Sequence, residues 1–277
     1  MSDDRTGDLG SVARHYSGVS HEKGPAIYRS SGRYDAIFKL GKFKDLPKTQ
    51  SSRFADLMSG VGCLVASAVE ERARDEGVPL EIHCLDIAFS GMDITKRKGL
   101  EDRGYILRAV DITEGTGYED SFLDRVATSF GIKNYGVETQ MDIFSEVKRI
   151  MVPGGVFVLA DMISPEASYE WMQDERREKS RHTFGEENAR HHVPTLDGWF
   201  QMLGEAGLEP ERDNVYHETS YVDTQKWVDS NQMSADGRRE MDEFLLSAPE
   251  HAIRDFNIRQ EGDSIRIDYP TIVITAR

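Results

Sequence analysis

From Arg53 onward, short apolar runs alternate along the chain with stretches of helical periodicity. The apolar runs predict strands at about 54–58, 80–85, 105–110, 122–130 and 156–160, and helices are expected between them at about 62–76, 91–103 and 138–151. The run at 156–160 is continuously apolar, which is typical of a strand that is covered on both faces. The pattern therefore predicts an α/β fold with a mainly parallel sheet between two layers of helices.

The second half of the chain is less regular. Helical stretches are predicted at about 166–179, 195–205 and 223–246, and strands at about 208–216 and 264–274. We expect an N-terminal helical extension over residues 1–50 and one domain over residues 51–277, with a helical insertion at about 223–260. The extension is either a structural addition or a lid that closes over a ligand.

The segment DLMSGVG, from Asp56 to Gly62, joins the first predicted strand to the first predicted helix. A strand, a glycine turn and a helix in succession place backbone N–H groups at a helix N-terminus, beside the carboxyl end of a strand. Open α/β sheets bind their ligands at this position. The same glycines are equally consistent with an ordinary strand-to-helix turn.

Three aspartates follow or end successive predicted strands: Asp56, Asp86 and Asp111. The carboxyl ends of parallel strands gather on one edge of a sheet, so these side chains are expected to converge on one ligand. An acidic residue after the second strand is placed to accept hydrogen bonds from both hydroxyls of a ribose. Each aspartate taken singly could also be a loop or capping residue.

The charge of this segment limits the class of nucleoside ligand. A dinucleotide fingerprint has a third glycine where this chain has Val65, and the lysine of a phosphate-binding loop is missing. Asp56 would repel a pyrophosphate, but it would suit an ammonium group. The sequence therefore predicts a nucleoside with a cationic tail that resembles an amino acid.

That description fits S-adenosylmethionine (SAM), and the sequence resembles the class I SAM-dependent methyltransferases over about residues 53–210. DLMSGVG resembles their D-x-G-x-G-x-G loop, with Met58 in place of the first glycine, while LDIAFSGM and VDITEG resemble the segments near the ribose and the adenine. Residues 121–162 resemble the ubiquinone/menaquinone-type small-molecule methyltransferases, including their F-G-[LI]-[RK]-N and R-[IV]-[LM]-x-P-G-G segments. The resemblance implies a Rossmann-like, doubly wound, mainly parallel seven-stranded sheet with a C-terminal antiparallel strand.

The resemblance also implies a set of site residues. The cofactor-binding residues expected from it are Asp56, Ser59, Gly60, Gly62, Asp86, Ile87, Asp111, Ile112, Ser129 and Phe130. The residues expected to bind the substrate are Tyr16, Tyr28, Tyr34, Asn134 and Arg190. Phe130 and Asn134 would face the space beside the transferred methyl group, although Phe130 is equally suited to packing.

Methyl transfer is an in-line displacement, to which a protein contributes mainly by positioning the reactants in a dry pocket. A nucleophile that carries a proton also needs a base, and histidine is the default choice. His191 and His192, in the loop after the fifth strand, are the candidate catalytic residues; alternatively, they hydrogen-bond loop carbonyls. No metal is expected, because the chain has no H-E-x-x-H pattern.

Composition narrows the partners. With 34 Lys and Arg against 49 Asp and Glu, the formal net charge of −15 disfavours nucleic acid and anionic membranes. No run approaches the roughly 18 apolar residues of a membrane helix, and the polar N-terminus lacks a secretory signal. The two cysteines fit a reducing compartment. We expect a cytoplasmic protein with a small-molecule acceptor. Both a monomer and a homodimer are compatible with the sequence.

Three classes of function are considered. The leading hypothesis is an enzyme that transfers a methyl group from SAM to nitrogen, oxygen or carbon of a small molecule, for example in specialised metabolism. The second is a SAM-binding protein of the same fold that transfers no methyl group (a lyase, a cyclase or a ligand sensor), which the departure at Met58 keeps open. The third is a nicotinamide-dependent oxidoreductase, which Val65 and Asp56 disfavour.

Overall fold

An eight-stranded sheet organises residues 30–185, 191–230 and 232–277, the parts of the chain that the computed structural model describes. Its strands are β1 (Ser52–Leu57), β2 (Leu80–Leu85), β3 (Ile106–Arg108), β4 (Leu123–Ser129), β5 (Met151–Met162), β6 (Tyr216–Asp223), β7 (Arg259–Glu261) and β8 (Ser264–Ala276). Their order is β3-β2-β1-β4-β5-β8-β6, and β7 pairs with β8. Strands β1 to β5 are parallel, and β8 runs antiparallel to β5, β6 and β7.

The predicted mainly parallel, Rossmann-like sheet with an antiparallel C-terminal strand is therefore confirmed. The strand count differs by one, because the short and polar β7 gives no apolar run that the sequence could reveal. The predicted strand at 208–216 is wrong, since β6 begins only at Tyr216. Burial in β6 alternates and its sequence, YHETSYVD, is mostly polar, so it lacks the apolar run by which the other strands are recognised.

Helices cover both faces of the sheet. They are α1 (Ser31–Leu40), α2 (Leu64–Asp75), α3 (Ile94–Glu101), α4 (Val137–Ile150), α5 (Tyr169–Phe184), α6 (Leu196–Glu205), α7 (Gln225–Asp229), α8 (Ala235–Leu246) and α9 (Glu250–Asp255). Apolar side chains of α1 and α2 pack on one face of the sheet, and those of α4 and α6 pack on the other. This arrangement buries β1, β4 and β5 between two apolar layers, which explains their continuous apolar sequences.

A third apolar cluster lies at the end of β5 and along the first half of β8. It joins α5, α7, α8 and α9 through residues such as Trp171, Trp227 and Phe256, together with Met162 and Tyr269 from the sheet. This cluster places α5 beside the carboxyl ends of β4 and β5.

Helix α1 is fixed to strand β6 by polar contacts as well as by packing. The Ser30 hydroxyl caps α1 by accepting from the Arg33 N–H (3.2 Å) and donates to Glu218 Oε2 of β6 (2.6 Å). The buried Arg33 side chain donates from Nε to Glu218 Oε1 (2.9 Å). This Arg33–Glu218 pair connects the first described helix to β6, the edge strand of the sheet.

Candidate functional site

The turn between β1 and α2 contains left-handed backbone conformations. Met58 has φ +54°, Gly60 +59° and Cys63 +44°. This region of φ favours glycine, and a side chain there costs about 1–2 kcal/mol. Met58 thus adopts the conformation that a glycine at this place would take freely. The turn is tied to the end of β2, because the Ser59 N–H donates to the Leu85 carbonyl (3.2 Å).

Asp56 lies under this turn and is fully buried. Its Oδ2 accepts from the Ala66 N–H (3.0 Å) and so caps the first turn of α2. Its Oδ1 is buried and has no hydrogen-bond partner among the described residues. Burial, with a smaller contribution from the charge of Asp86, raises the pKa of Asp56 to about 8. A cation brought next to this carboxyl would stabilise its charged form.

Asp86 follows β2 and connects two turns. Its Oδ2 accepts from the Gly60 N–H (2.8 Å), and its Oδ1 accepts from the Ala88 N–H (2.8 Å). Burial raises its pKa above the ordinary value. A carboxylate has about four acceptor sites, so these two bonds leave capacity for the hydroxyls of a ribose. The partly buried Ile87 comes directly after it and opens a short 3₁₀ turn.

Asp111 is placed in the same manner after β3. Its Oδ1 accepts from the Thr113 N–H (3.0 Å) and hydroxyl (2.8 Å), while its Oδ2 is buried and has no partner within the described residues. The buried Ile112 begins the next 3₁₀ turn. Tyr135, which the sequence did not single out, lies close enough to Asp86 and Asp111 that burial and then their two charges raise the pKa of its phenol. Two of the three predicted carboxylates therefore converge beside one ring.

The end of β4 continues the same edge of the sheet. Phe130 is buried with φ +60°, and its N–H donates to the Ala160 carbonyl (2.9 Å). Its ring contacts two cations, with Arg33 Cζ at 4.3 Å and Lys133 Nζ at 5.0 Å from the ring centroid. Asn134 donates from Nδ2 to the Phe130 carbonyl (3.3 Å), so in this structure its side chain closes the turn. Ser129, the last residue of β4, is partly buried.

His192 has partners at both ring nitrogens. Nδ1 lies 3.2 Å from Gln140 Oε1 and Nε2 lies 3.0 Å from the Tyr169 hydroxyl. The simplest assignment is that Nδ1–H donates to the amide oxygen and Nε2 accepts from the phenol. Gln140 Nε2 also donates to the His192 carbonyl (2.8 Å). Burial lowers the pKa of His192, which fits a neutral ring held between α4 and α5.

His191 lies in a different environment from its neighbour. Burial and then the positive charges of Arg176, Lys133 and Lys179 hold its pKa well below the ordinary value. Its ring is therefore neutral near pH 7 and lies among cations rather than among the three aspartates.

The remaining predicted residues are divided by what the structure describes. Tyr34 lies on α1, in a shallow groove shared with Leu64 and Ser67 of the first turn of α2. This position is beside the glycine turn. Gly62 is partly buried in that turn. Tyr16, Tyr28 and Arg190 lie outside the described residues.

Two further properties bear on the chemistry of this part of the chain. Within residues 30–185, 191–230 and 232–277, no group of three or more His, Cys, Asp or Glu side chains is arranged to hold a metal ion. The helices in the same ranges include none that is long and apolar enough to cross a bilayer.

The buried carboxylate oxygens of Asp56 and Asp111 provide a test of the expected cofactor. Each lacks a partner among the described residues; Asp56 lies under the turn that Asp86 holds through Gly60, and Asp111 shares Tyr135 with Asp86. A molecule with an ammonium group, ribose hydroxyls and an adenine amine supplies donors for such acceptors. The residues present therefore fit SAM.

Comparison with solved structures shows proteins of the same fold. A protein from Bacillus halodurans C-125 named as a candidate methyltransferase is 20% identical, with a TM-score of 0.69 over 87% of this chain and 97% of that one. The YcgJ protein of Bacillus subtilis is 15% identical, with a TM-score of 0.68 over the same shares. Geranyl diphosphate C-methyltransferase from Streptomyces coelicolor A3(2), solved with S-adenosyl-L-homocysteine (SAH), is 11% identical, with a TM-score of 0.54 over 98% of each chain. At these identities the likeness concerns the fold.

The family follows from sequence. Among proteins with curated functions, none matches this chain. The family model described as the ubiE/COQ5 methyltransferase family matches residues 36–174, which is half of the chain and includes β1 to β5 with the three aspartates. The protein belongs to the ubiE/COQ5 methyltransferase family, and it is a SAM-dependent methyltransferase.

Proposed function

We propose that this methyltransferase acts on a small-molecule acceptor bound at the carboxyl edge of the sheet, between the end of β4 and helix α5. The observation that carries the proposal is the set of buried, unpartnered carboxylate oxygens on Asp56 and Asp111, beside the turn held by Asp86. These groups would fix the methyl donor at the ends of β1 to β3. The acceptor would then occupy the adjoining space toward β5.

The roles of the site residues follow from their positions. When bound, SAM supplies an electrophilic methyl group on a sulfonium. Asp86 would accept from the ribose hydroxyls, Asp56 would face the ammonium group, and Asp111 would lie near the adenine. Because the reaction needs alignment and dryness more than proton transfer, the buried Phe130 would serve by excluding water. His191 and Asn134 would line the acceptor side.

A small acceptor is supported by the way this edge is covered. Helices α5, α7, α8 and α9 pack over it through a continuous apolar cluster, which favours an enclosed ligand over a macromolecule. The net charge of −15 disfavours nucleic acid. Solved neighbours of the same fold include methyltransferases for geranyl diphosphate and phosphoethanolamine. The fold therefore accommodates acceptors of this size.

The proposal is tested by turnover of the purified full-length chain. The chain is incubated with methyl-labelled SAM and a panel of small acceptors, and labelled product and SAH are quantified together. We expect equimolar product and SAH for at least one acceptor. If SAH binds tightly but no acceptor in a broad panel is methylated, the alternative of a SAM-binding protein without methyl transfer is favoured. This alternative is considered for the present chain because Met58, in a left-handed conformation, occupies the position of the first glycine in the cofactor turn.

A further inference from the structure

Four basic side chains gather beside the end of β4 and are here called the cationic cluster: Arg33, Lys133, Arg176 and Lys179. Arg33 and Lys133 both contact the Phe130 ring. The pKa of Lys133 is lowered by burial and then by Arg176 and Arg33, and that of Lys179 by burial and then by Arg176 and Lys133. The four positive charges are therefore close enough to repel one another.

Carboxylates in the same region offset only part of this charge. Glu218 pairs with Arg33, and the fully buried Glu175 pairs with Arg176. Tyr269 completes the second pair, because its hydroxyl donates to Glu175 Oε1 (2.7 Å) and accepts from Arg176 (2.7 Å). Lys133 Nζ lies 3.7 Å from Asp161 Oδ1. Among residues 30–185, 191–230 and 232–277, three carboxylates thus face four cations.

Lys179 is the fourth basic side chain of the cluster. Its ammonium group lies 4.5 Å from the centroid of the Trp227 ring, and no carboxylate of the described residues lies within ion-pair distance of it. Burial and the neighbouring cations hold its pKa well below the ordinary value. Lys179 is partly buried, and an ammonium that is removed from water without a partner is costly, so stability of the fold alone does not explain this position.

Two hydrogen-bond donors, one on α1 and one on α5, also lack partners among the described residues. Arg33 is 1% exposed, yet its Nη1 is buried with no hydrogen-bond partner in the described residues. The Thr183 hydroxyl is buried and unpartnered in the same way. Thr183 is one helical turn beyond Lys179 and two turns beyond Arg176, so the three residues share one face of α5. Among the described residues, hydrogen-bond donors therefore exceed acceptors in this set, and positive charge exceeds negative charge.

We propose that the acceptor carries an anionic group, a carboxylate or a phosphate, which the cationic cluster and Thr183 bind next to Phe130. This inference rests on the proposed function, because it concerns the acceptor side of the same site. An anion would supply the missing countercharge for Lys179 and acceptors for the unpartnered donors of Arg33 and Thr183. Hydrogen bonds between charged groups of this kind are about twice as strong as neutral ones.

The test uses the full-length chain saturated with SAH and two probes, inorganic phosphate and benzoate, titrated by calorimetry at low salt. Binding of one probe in preference to the other identifies the anion as phosphate or carboxylate. Measurements in two buffers of different ionisation enthalpy count protons. Because an adjacent anion raises the pKa of Lys179, we expect binding to take up protons in the pH range in which this amine titrates.

Substitutions then locate the site. Lys179→Met keeps an aliphatic side chain against Trp227 but removes the charge, and we expect at least tenfold weaker binding of the preferred probe with loss of the proton uptake. Lys148→Met, on the exposed face of α4, is the matched control and should bind as the wild type does. Thr183→Val removes one hydroxyl at constant size, and we expect affinity a few times weaker even where Lys179→Met folds poorly.

The possible outcomes separate this inference from the proposed function. Tight SAH binding with no affinity for either probe, or equal probe affinity in Lys179→Met, Thr183→Val and wild type, would overturn the anionic acceptor while leaving the methyltransferase intact. Absence of SAH binding in the wild type would instead contradict the cofactor site itself.

Discussion

The two halves of the carboxyl edge of the sheet carry ionisable groups of opposite kind. At the ends of β1, β2 and β3, the carboxylate half consists of Asp56, Asp86 and Asp111, whose nearest polar partners are mostly backbone N–H groups. At the end of β4 and on α5, the cationic cluster is in excess over its carboxylate partners within the part of the chain that the structure describes. One continuous edge is thus divided into a region suited to a cationic donor and one suited to an anionic acceptor.

The comparison shows how burial couples ligand charge to protons. In the carboxylate half, burial raises the pKa of Asp56 to about 8, so an ammonium group placed beside it would lower that pKa and release a proton near pH 7. In the cationic cluster, burial lowers the pKa of Lys179, so an anion would raise it and take up a proton. The two ligands are therefore expected to move protons in opposite directions.

The largest effect is expected when Asp86, the middle aspartate of the carboxylate half, is replaced. Asp86→Ala would eliminate the charge-assisted hydrogen bonds that we propose for the ribose, each of about 1.5–3 kcal/mol, and it releases the Gly60 N–H from its partner. We expect SAH to bind about 100-fold more weakly by calorimetry. Benzoate or phosphate affinity should change much less, because the cationic cluster is intact.

Asp213→Ala, at an exposed position, serves as the control for Asp86→Ala and should leave both affinities unchanged. Wild-type SAH affinity in Asp86→Ala would mean that the carboxyl end of β2 does not contact the donor, and the assignment of the carboxylate half would be abandoned.

A second prediction concerns the boundary between the two halves, where Gly131 touches the cofactor turn. A Cβ on Gly131 would lie 2.6 Å from Met58 Sδ and 2.8 Å from Met58 Cβ. Because Gly131 has an ordinary helical backbone (φ −93°, ψ −48°), Gly131→Ala tests overpacking alone, and we expect a loss of about 1–3 kcal/mol in the free energy of unfolding.

The double variant Gly131→Ala, Met58→Gly removes the clash and the left-handed side chain together. We expect it to recover most of the lost stability in denaturant unfolding. Independent, additive effects of the two substitutions would show that the contact does not connect the halves as described.

The charge state of Asp56 gives a third, pH-dependent prediction. Its folded pKa of about 8 exceeds the unfolded value of about 3.9, so the folded state binds more protons between these values and stability falls as pH rises through this window. Asp56→Asn lacks this dependence. Between pH 5 and pH 8 its free energy of unfolding should rise relative to the wild type by at least about 1.4 kcal/mol, the equivalent of one pKa unit.

The same variant separates the two proton movements. Asp56→Asn should abolish proton release on SAH binding, while proton uptake on anion binding to the cationic cluster persists. A stability difference between Asp56→Asn and wild type that stays constant from pH 5 to pH 8 would show that this carboxyl is charged throughout.

The smallest effect is expected at His192, which belongs to the wall of the acceptor side. His192→Phe deprives Gln140 and Tyr169 of their partners, and we expect a loss of about 1 kcal/mol in stability with SAH affinity unchanged. Because the folded pKa of His192 is lowered, wild-type stability falls with decreasing pH through the unfolded value of about 6.5. The difference between the two proteins should therefore shrink at pH 5.

Tyr169→Phe removes only one of these bonds and should cost less than His192→Phe. If His192→Phe abolishes turnover at full stability, the ring acts in the reaction as a base rather than as a spacer between α4 and α5.

Much of the carboxylate half could be predicted from sequence, because each aspartate is adjacent in sequence to the apolar strand that positions it. Strand β2 was predicted to its end residues, and Asp86 and Asp111 were recognised because they directly follow apolar runs. The left-handed conformation of Met58 agrees with the glycine expected there. What was missed is Tyr135, whose position depends on the packing of the turn after β4.

The cationic cluster could not be predicted in this way, because it is assembled from distant segments. The sequence of α5, YEWMQDERREKSRHTF, is typical of a solvated helix, yet Glu175 and Arg176 are buried against Tyr269 of β8. Arg33 comes from the N-terminal segment, and its partner Glu218 lies on β6, whose polar sequence concealed the strand. Tertiary contacts alone decide which of many charged residues face inward.

The Arg33–Glu218 pair joins positions 185 residues apart, and both residues fall outside the segment 36–174 that matches the family model. Lys179, Thr183 and Trp227 fall outside it as well. A chimaera that retains the matched segment and exchanges both flanks together would keep the proposed methyl-donor site, Phe130 and Lys133 and would replace the other members of the cationic cluster. Exchange of one flank alone would leave Arg33 or Glu218 without its ion-pair partner. Divergence toward new acceptors in this architecture therefore requires the beginning and the end of the chain to change in concert.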